Sequence, residues 1–245
     1  MGDFNVYADG VRARTYAQLE FPGTYYLAYR DLPEILAAHA RGRAALDFGC
    51  GAGRSTRFLR RLGFVATGVD ISGAMIAQAR ELDPEGDYRL VAGADFTGLP
   101  AHAYDVVLSV FTFDNIPTRA AKLELFRALA ALLNRDGRIV SLVSSPEIYL
   151  HEWASFSTKD YPENARAGCG DEVRIVITDT ADPRPVVDIA WPDADYREVY
   201  RQAGLEVVEV YRPLGKEGEP VRWVNETRIA PWVVYVLRAA GDSKR

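Results

Sequence analysis

The stretch Leu46-Asp47-Phe48-Gly49-Cys50-Gly51-Ala52-Gly53 joins the end of an apolar run to the start of a segment with helical periodicity. Its glycines stand at every second position, where a missing Cβ lets the backbone turn tightly and lets a ligand approach the main chain. A dinucleotide-binding loop has the pattern G-x-G-x-x-G, which would put a third glycine at position 54. Arg54 occupies that position, and this argues against NAD as the ligand.

On both sides of this loop, short β-branched or apolar runs alternate with segments of helical period. Such alternation is typical of a parallel sheet covered by helices on both faces. The sequence predicts seven strands, at Ala44–Phe48, Val65–Val69, Tyr88–Ala92, Tyr104–Val110, Arg138–Val143, Leu205–Tyr211 and Trp232–Leu237. It predicts helices at Ser55–Leu62, Ser72–Glu81, Thr118–Leu133 and Asp193–Ala203. We therefore expect a single doubly wound α/β domain over residues 1–245.

The domain divides into four parts along the chain. Residues 1–42 are expected to form an N-terminal helical segment, and 43–145 a ligand-binding core. Residues 146–192, which are rich in aromatic and charged side chains, form an insertion after the fifth strand, and 193–245 complete the sheet. Because ligands of open α/β sheets bind at the carboxyl ends of the strands, we expect the first and third parts to cover the site.

Composition excludes several classes of protein. The chain has 245 residues, 48% of them hydrophobic, and no apolar run near the roughly 20 residues of a membrane span. Its net charge of −5 has the wrong sign for a dedicated nucleic-acid binder. The two cysteines lack metal-site spacing, so no metal is expected, and the N-terminus lacks the pattern of a signal peptide. We expect a cytoplasmic protein.

Acidic side chains stand at the ends of three successive predicted strands. Asp47 belongs to the first, Asp70 ends the second and Asp95 follows the third. A carboxylate at Asp70 can accept hydrogen bonds from both hydroxyls of a ribose. Asp95 can accept one from the exocyclic amine of adenine, with Ile71 and Phe96 flanking the ring. The pattern indicates an adenosine-containing ligand.

From about residue 44 to 143, these motifs resemble the class I, seven-stranded S-adenosylmethionine-dependent methyltransferases. The resemblance implies a mainly parallel sheet with an antiparallel last strand, and S-adenosylmethionine as cofactor with S-adenosylhomocysteine as product. In that family the glycine loop borders the methionine part of the cofactor, which places Asp47 near its amino group. The residues implied for cofactor binding are Asp47, Gly49, Cys50, Gly51, Gly53, Asp70, Ile71, Asp95, Phe96 and Ser109. The alternative is another nucleotide-binding sheet, in which the glycines serve only helix–strand packing.

Three polar residues are candidates for catalysis. Asp114 follows the fourth strand, where the family often places groups near the methyl donor; the alternative is a cap or turn acid before the next helix. His151 and Glu152 are candidate general bases in the insertion, since an imidazole with a pKa of about 6.5 suits removal of a proton from the acceptor. The alternative for this pair is an exposed histidine beside a solvated glutamate.

Aromatic side chains outside the sheet could form a wall around the acceptor. The candidates are Tyr16, Tyr25, Tyr26, Trp153 and Phe156; the alternative is core filling or contact with a partner. We expect methyl transfer to an O or N atom of a small molecule, by a monomer or homodimer that binds neither nucleic acid nor membrane. The alternatives are a methyltransferase acting on RNA or protein, a non-catalytic cofactor-binding protein and an NAD-linked oxidoreductase.

Overall fold

A computed structural model describes residues 22–180, 182 and 184–241. In chain order its strands are β1 (Ala44–Phe48), β2 (Val65–Asp70), β3 (Asp87–Leu90), β4 (Tyr104–Val110), β5 (Leu133–Ser144), β6 (Phe156–Ser157), β7 (Glu172–Ile177), β8 (Val186–Ile189), β9 (Leu205–Tyr211) and β10 (Trp232–Ala239). Its helices are α1 (Tyr25–Arg30), α2 (Leu32–His39), α3 (Arg54–Arg61), α4 (Gly73–Leu82), α5 (Arg119–Leu132) and α6 (Asp193–Gln202). Short 3₁₀ helices cover Thr112–Asn115, Pro146–Tyr149 and Pro162–Arg166.

Seven strands form the main sheet in the order β3-β2-β1-β4-β5-β10-β9. Strands β1 to β5 run parallel, and β10 runs antiparallel to both β5 and β9. This confirms the predicted doubly wound sheet with its reversed last strand. The strand order changes direction between β1 and β4, and a crevice opens at the carboxyl ends of strands at such a switch point.

Each face of the sheet has its own apolar core. Alternate residues point to opposite faces of a strand, so Leu108 and Val140 pack with one cluster while Val107 and Ile139 pack with the other. All four of these side chains are fully buried. The near-continuous apolar runs of β4 and β5 follow from this burial on both faces.

Two helices begin with a side chain that caps the first turn. The Ser72 hydroxyl accepts a hydrogen bond from the Met75 amide at the start of α4, and the Thr118 hydroxyl accepts one from the Ala121 amide at the start of α5. Side chains of this kind satisfy amides that have no partner within the helix. Thr118 thus fills the capping role that was the alternative for Asp114.

The structure corrects two strand boundaries. β5 begins at Leu133 instead of the predicted Arg138, and residues 134–137 form a bulge within it, because pairing with β4 jumps from Leu133 to Arg138. The Asn134 side chain still accepts the Asp136 amide, as in a turn. β3 ends at Leu90, and Ala92 makes only an isolated bridge with Asp95.

Two regions pack against the same face of the sheet. Helices α1 and α2 bury Tyr25, Tyr29 and Ile35 in the same cluster as the apolar side chains of the insertion. The insertion contains a three-stranded antiparallel sheet, β6-β7-β8, which the sequence analysis did not predict. Within the described part of the chain, the helices are all too short or too polar to cross a membrane.

Candidate functional site

The glycine loop after β1 is packed tightly at its first position. The amides of Gly49 and Cys50 both donate to the Val69 carbonyl, at 2.8 and 3.0 Å. A Cβ on Gly49, which has φ +73°, would lie 2.1 Å from the Thr112 hydroxyl. That hydroxyl donates to the Phe48 carbonyl at 3.0 Å. Glycine is therefore required here for close packing between the loop and the turn after β4.

The next two glycines differ in their surroundings. A Cβ on Gly53, at φ +83°, would lie 2.6 Å from the Tyr88 hydroxyl, so Gly53 serves helix–strand packing. At Gly51, which has φ +53°, the nearest atom of the described residues to an added Cβ is Met75 Sδ at 4.0 Å. A ligand can therefore approach the backbone at Gly51. Cys50, between Gly49 and Gly51, is buried, and burial raises the pKa of its thiol.

Asp47 holds a carboxylate beneath the loop. Its Oδ2 accepts hydrogen bonds from the hydroxyls of Ser55 and Thr56 at 2.7 and 2.6 Å. Its Oδ1 has no donor among the described residues. Burial raises the pKa of Asp47 to about 6. Because a buried acceptor without a donor is costly, the site favours a ligand with a cationic amino group, such as the one S-adenosylmethionine carries.

Asp70 ends β2 beside the loop. Its two oxygens accept hydrogen bonds from the amides of Gly51 and Ser72, both at 2.8 Å, while burial raises its pKa. A carboxylate has about four lone-pair sites, so each oxygen can still accept a ribose hydroxyl. The neighbouring Ile71 side chain is 56% exposed and offers apolar surface to a purine ring.

Three further residues, Asp95, Phe96 and Ser109, were also predicted to bind the cofactor. Asp95 is exposed and accepts hydrogen bonds from the amide and hydroxyl of Thr97, which lower its pKa. Phe96 is only 8% exposed and packs edge-on against Phe48, with 5.9 Å between ring centroids. Ser109 is fully buried in β4, and its hydroxyl has no partner in the described part of the chain. These three roles remain predictions.

A cavity lies beyond the carboxyl ends of β4 and β5, close to the glycine loop. It is lined by Tyr25, Phe111, Asp114, Asn115, Ser144, Ile148, Tyr149, Phe156, Ile175, Ile177, Val186, Asp188 and Trp232. Its free volume is about 40 Å³, which is room for a few water molecules. A larger acceptor has to displace side chains as it enters.

Aromatic rings form one wall of this cavity. The Tyr25 ring lies 5.8 Å from Phe111, 5.1 Å from Phe156 and 6.1 Å from Trp232, measured between centroids. Phe111 and Trp232 are 4.6 Å apart. Phe111 has φ +62°, an uncommon value for a non-glycine residue that is typical of functional sites. Tyr25 and Phe156 were predicted for the acceptor wall, whereas Phe111 and Trp232 were not.

Asp114 lines the cavity and is almost fully buried. Its carboxylate accepts hydrogen bonds from the Ser144 amide at 3.0 and 3.2 Å, and from the Tyr196 hydroxyl at 3.4 Å. Burial raises its pKa to about 6. The buried Lys122 ammonium, which donates to the Phe113 carbonyl, counteracts that rise. A carboxyl group with this pKa can accept a proton near neutral pH.

The structure does not bring His151 and Glu152 to the cavity wall in the part of the chain it describes. His151 Nε2 lies 3.1 Å from Glu147 Oε2 at the surface. Glu152 accepts the Thr158 amide at 2.7 Å, and its hydrogen bonds lower its pKa against the opposing effect of burial. The geometry favours the alternative for this pair, an exposed histidine and a glutamate that stabilises its own loop.

Two of the predicted acceptor aromatics do not line the cavity. Tyr26 packs near Trp223, with ring centroids 6.3 Å apart. Trp153 is buried, and its indole N–H donates a hydrogen bond to the Ile148 carbonyl at 2.8 Å. It therefore stabilises the fold of the insertion. Tyr16 lies outside the described residues.

Sequence reasoning missed Asp188 and Tyr149 on the cavity wall. The Tyr149 hydroxyl donates to Asp188 Oδ2 at 3.1 Å. One signal was available, because Asp188 is a charged residue within the apolar run Val186–Ile189. Burial of a charge in a strand requires a partner or a function.

Comparison with known proteins agrees with this geometry. Residues 46–141 match the family model described as a methyltransferase domain. This match, together with the similarity to named methyltransferases, supports the predicted resemblance to the class I S-adenosylmethionine-dependent methyltransferases. The matched residues extend from β1 into β5 and include the glycine loop, Asp70 and Asp114.

Individual methyltransferases resemble this chain over longer stretches. It is 29% identical over 161 residues to the ubiquinone biosynthesis O-methyltransferase of Paramagnetospirillum magneticum, covering 61% of this chain and 64% of the relative. It is 27% identical over 198 residues to the trans-aconitate 2-methyltransferase of Shigella flexneri, covering 76% and 68%. The chain thus spans about two thirds of the length of these relatives.

A solved methyltransferase shares the fold over nearly the whole chain. The CcbJ methyltransferase of Streptomyces caelestis superposes with a TM-score of 0.66 at 21% identity, covering 98% of this chain and 100% of that one. At this level of identity the likeness concerns the fold alone. It extends beyond the matched family core to the insertion and the last strands.

Proposed function

We propose that this protein transfers the methyl group of S-adenosylmethionine to an O or N atom of a small molecule. The observation that carries the proposal is the contact between two sites. The glycine loop, next to Asp47 and Asp70, packs at Gly49 against Thr112 in the turn after β4, and the neighbouring Phe111 of that turn lines the aromatic cavity. A methyl donor bound at the glycine loop and an acceptor bound in the cavity would therefore lie next to each other.

The residues of the loop fit S-adenosylmethionine, which when bound supplies an electrophilic methyl group on a sulfonium. Asp47 would accept its amino group and Asp70 its ribose hydroxyls, while Gly51, which lacks a Cβ, lets the ligand approach the backbone. Fixing two reactants in position and excluding water supplies much of the acceleration for an in-line displacement. On the acceptor side, Asp114 would take up the proton that the acceptor releases.

The size of the cavity supports a small acceptor. Its walls are buried side chains, and its volume does not admit a folded macromolecule without rearrangement. The net charge of −5 disfavours a nucleic-acid substrate. The names of the relatives, which concern ubiquinone biosynthesis and trans-aconitate, point the same way. A cytoplasmic location and a monomeric or homodimeric state remain predictions.

The test is incubation with methyl-labelled S-adenosylmethionine and, separately, the metabolite, RNA and protein fractions of a host extract. Label in the metabolite fraction is expected, with less label when Asp70→Ala replaces the wild type at limiting S-adenosylmethionine. Label only in RNA or protein would overturn the small-molecule proposal. Absence of label with every fraction, together with tight binding of S-adenosylhomocysteine, would favour a non-catalytic cofactor-binding protein.

A further inference from the structure

We propose that Lys122 is a positioning residue for methyl transfer, whose buried ammonium keeps the Asp114 carboxyl group ionised so that Asp114 can take a proton from the acceptor. This rests on the proposed function, in which Asp114 receives that proton, and adds the residue that prepares it to do so. The evidence is the way in which the fold buries the two side chains and joins them through Phe113 and Tyr196.

Lys122 lies on the buried face of helix α5. It stands three residues before Leu125 and four before Phe126, and all three side chains are buried. Residues at this spacing share one face of a helix. A lysine near an apolar surface usually keeps its ammonium in water, and burying a charge is costly unless it is paired. A fully buried Lys122 therefore requires a partner or a function.

Three aromatic rings hold the Lys122 ammonium. Its Nζ lies 4.7 Å from the ring centroid of Trp191, 5.2 Å from that of Tyr196 and 6.0 Å from that of Phe113. A cation within about 6 Å of a ring is attracted by the ring quadrupole, and the attraction increases when water is excluded. The ammonium also donates a hydrogen bond to the Phe113 carbonyl. These contacts fix a positive charge at a defined place in the interior.

Two of these residues connect the ammonium to Asp114. Phe113 directly precedes Asp114 in the 3₁₀ helix after β4, so the carbonyl that accepts from Lys122 belongs to the peptide bond before Asp114. The Tyr196 ring lies beside the ammonium, while its hydroxyl donates to Asp114 Oδ1 at 3.4 Å. The Ser144 amide donates to Asp114 Oδ2 at 3.0 Å. Because charges interact strongly in the protein interior, the Lys122 ammonium stabilises the negative form of Asp114.

Lys122 has the largest effect among the charges that act on Asp114. Burial raises the pKa of Asp114 to about 6, and the positive charge of Lys122 opposes this rise. The hydroxyls of Tyr149, Tyr196 and Tyr200 also face this carboxylate, and burial raises the pKa of each well above its ordinary value. These hydroxyls are therefore neutral at physiological pH. The pKa of Asp114 thus depends on whether Lys122 is charged.

Lys122 itself keeps its charge at neutral pH. Burial lowers its pKa to about 8, while Asp114, Cys169 and Asp188 act in the opposite direction. Burial raises the pKa of the Cys169 thiol, so this group is neutral at pH 7. Asp188 lies on β8 and lines the cavity together with Asp114. Most of the protein therefore carries a Lys122 ammonium at pH 7.

The balance of protons shows what the ammonium contributes. The acceptor atom forms a bond to the methyl carbon as the carbon–sulfur bond breaks, and the electron pair of that bond stays on sulfur. The proton on the acceptor atom passes to the Asp114 carboxylate and from there to solvent, while Lys122 keeps its own protons. A protonated Asp114 cannot take this proton, so methyl transfer is expected to slow as the pH falls below about 6. Without the charge of Lys122, the slowing begins at a higher pH.

The test measures the pKa of Asp114 by NMR in protein labelled with ¹³C at the aspartate carboxyl groups. The signal that is lost in Asp114→Asn assigns the resonance. We expect a titration midpoint of about 6 in the wild type. We expect a midpoint at least about one pH unit higher in Lys122→Met, because the compensating charge is lost. Lys159→Met removes an exposed lysine from the insertion and should leave the midpoint unchanged.

A second variant separates the charge of Lys122 from its hydrogen bond. Lys122→Gln keeps a donor on the side chain but has no charge. A role of the charge predicts the same rise as in Lys122→Met, whereas a purely structural role predicts the midpoint of the wild type. The wild type also gives a measurement that does not depend on the folding of either variant, since the Asp114 signal should move again near pH 8 as Lys122 loses its proton. An unchanged midpoint in a folded variant, or no second movement in the wild type, would overturn the proposal.

This titration uses neither cofactor nor acceptor, so its outcome is independent of the proposed function. Failure of methyl transfer in the labelled-extract assay would count against the proposed function alone. With the labelled metabolite as acceptor, the acid limb of the pH profile of kcat/KM is expected to lie at least about one pH unit higher for Lys122→Met than for the wild type. Coincident profiles would show that the charge of Lys122 does not serve the reaction.

Discussion

Asp70 is the residue on which cofactor affinity should depend most directly. Replacement by alanine removes the proposed acceptor for two ribose hydroxyls and the observed acceptor for the Gly51 amide. Because hydrogen bonds to a charged group contribute about 1.5–3 kcal/mol each, Asp70→Ala is expected to weaken binding of S-adenosylhomocysteine by at least about tenfold in calorimetric titration.

The control for this change is Asp87→Ala, at the first residue of β3. Asp87 is exposed and bonds Arg89 and Thr67, at the opposite end of the strands from the glycine loop. It is expected to leave affinity unchanged. Equal affinities of the wild type and Asp70→Ala would refute the ribose-binding role.

Asp47 should make stability depend on pH. Its folded pKa of about 6 exceeds its ordinary value of 3.8 because it is fully buried. Between these values the folded state retains a proton that the unfolded state has lost, so stability falls as pH rises from about 4 to about 6. A difference of roughly 2 between the folded and unfolded pKa values corresponds to a change of about 3 kcal/mol in the free energy of unfolding.

The measurement is urea unfolding of the wild type and Asp47→Asn across that pH range. The variant has no proton to lose, so the wild type should lose about 3 kcal/mol relative to it between pH 4 and pH 7. Asp160→Asn, which changes an exposed carboxylate, should follow the wild type. A constant difference between wild type and Asp47→Asn would contradict the assignment.

At the scale of elements, Glu226 connects three segments around the acceptor cavity. Its fully buried carboxylate accepts hydrogen bonds from the Thr24 hydroxyl before α1, the Ala154 amide of the insertion, and the amides of Val224 and Asn225. The first two are 2.7 Å long. The Glu226 side chain therefore links the segments that cover the cavity by hydrogen bonds.

Glu226→Ala is expected to lower the free energy of unfolding by about 2–4 kcal/mol, since it leaves several buried donors without a partner. For a protein of this size that corresponds to a fall of very roughly 5–15 °C in Tm. Differential scanning calorimetry measures it. Glu217→Ala, an exposed glutamate in the same loop, should change Tm little; equal Tm values for the two variants would refute the role of Glu226.

The elements of the sheet were largely predictable because their signals are local. β1, β4 and β9 match their predicted bounds, since each is a short run rich in apolar residues. The small sheet β6–β8 was not predicted. Its strands are two to six residues long and their pairing joins residues far apart in sequence, such as Phe156 and Ile177. Periodicity cannot report such contacts.

For the whole molecule, ligand binding and folding are coupled. S-adenosylhomocysteine at 100 times its Kd is expected to stabilise the folded state by about 2.7 kcal/mol if it binds only that state. The corresponding rise in Tm is about 5–10 °C. A thermal scan with and without ligand measures it, and Asp70→Ala should reduce the rise at the same ligand concentration. No rise for the wild type would contradict cofactor binding.

The two halves of the site differed in how far the sequence could predict them. Asp47, the glycines and Asp70 lie within 24 residues and follow strand ends, so spacing alone places them at one edge of the sheet. The cavity wall takes Tyr25, Phe111 and Trp232 from positions up to 207 apart. Only the folded chain brings these residues together. The sequence therefore predicted His151 as a candidate base but did not predict Asp188 on the cavity wall.

This division has an evolutionary consequence. The proposed donor site takes its side chains from one continuous stretch, whereas the wall of the proposed acceptor cavity takes them from α1, the turn after β4, the insertion and the start of β10. Substitutions that remodel the wall leave the continuous stretch untouched. A gene of this design can acquire new acceptors by point mutation while inheriting its methyl donor unchanged.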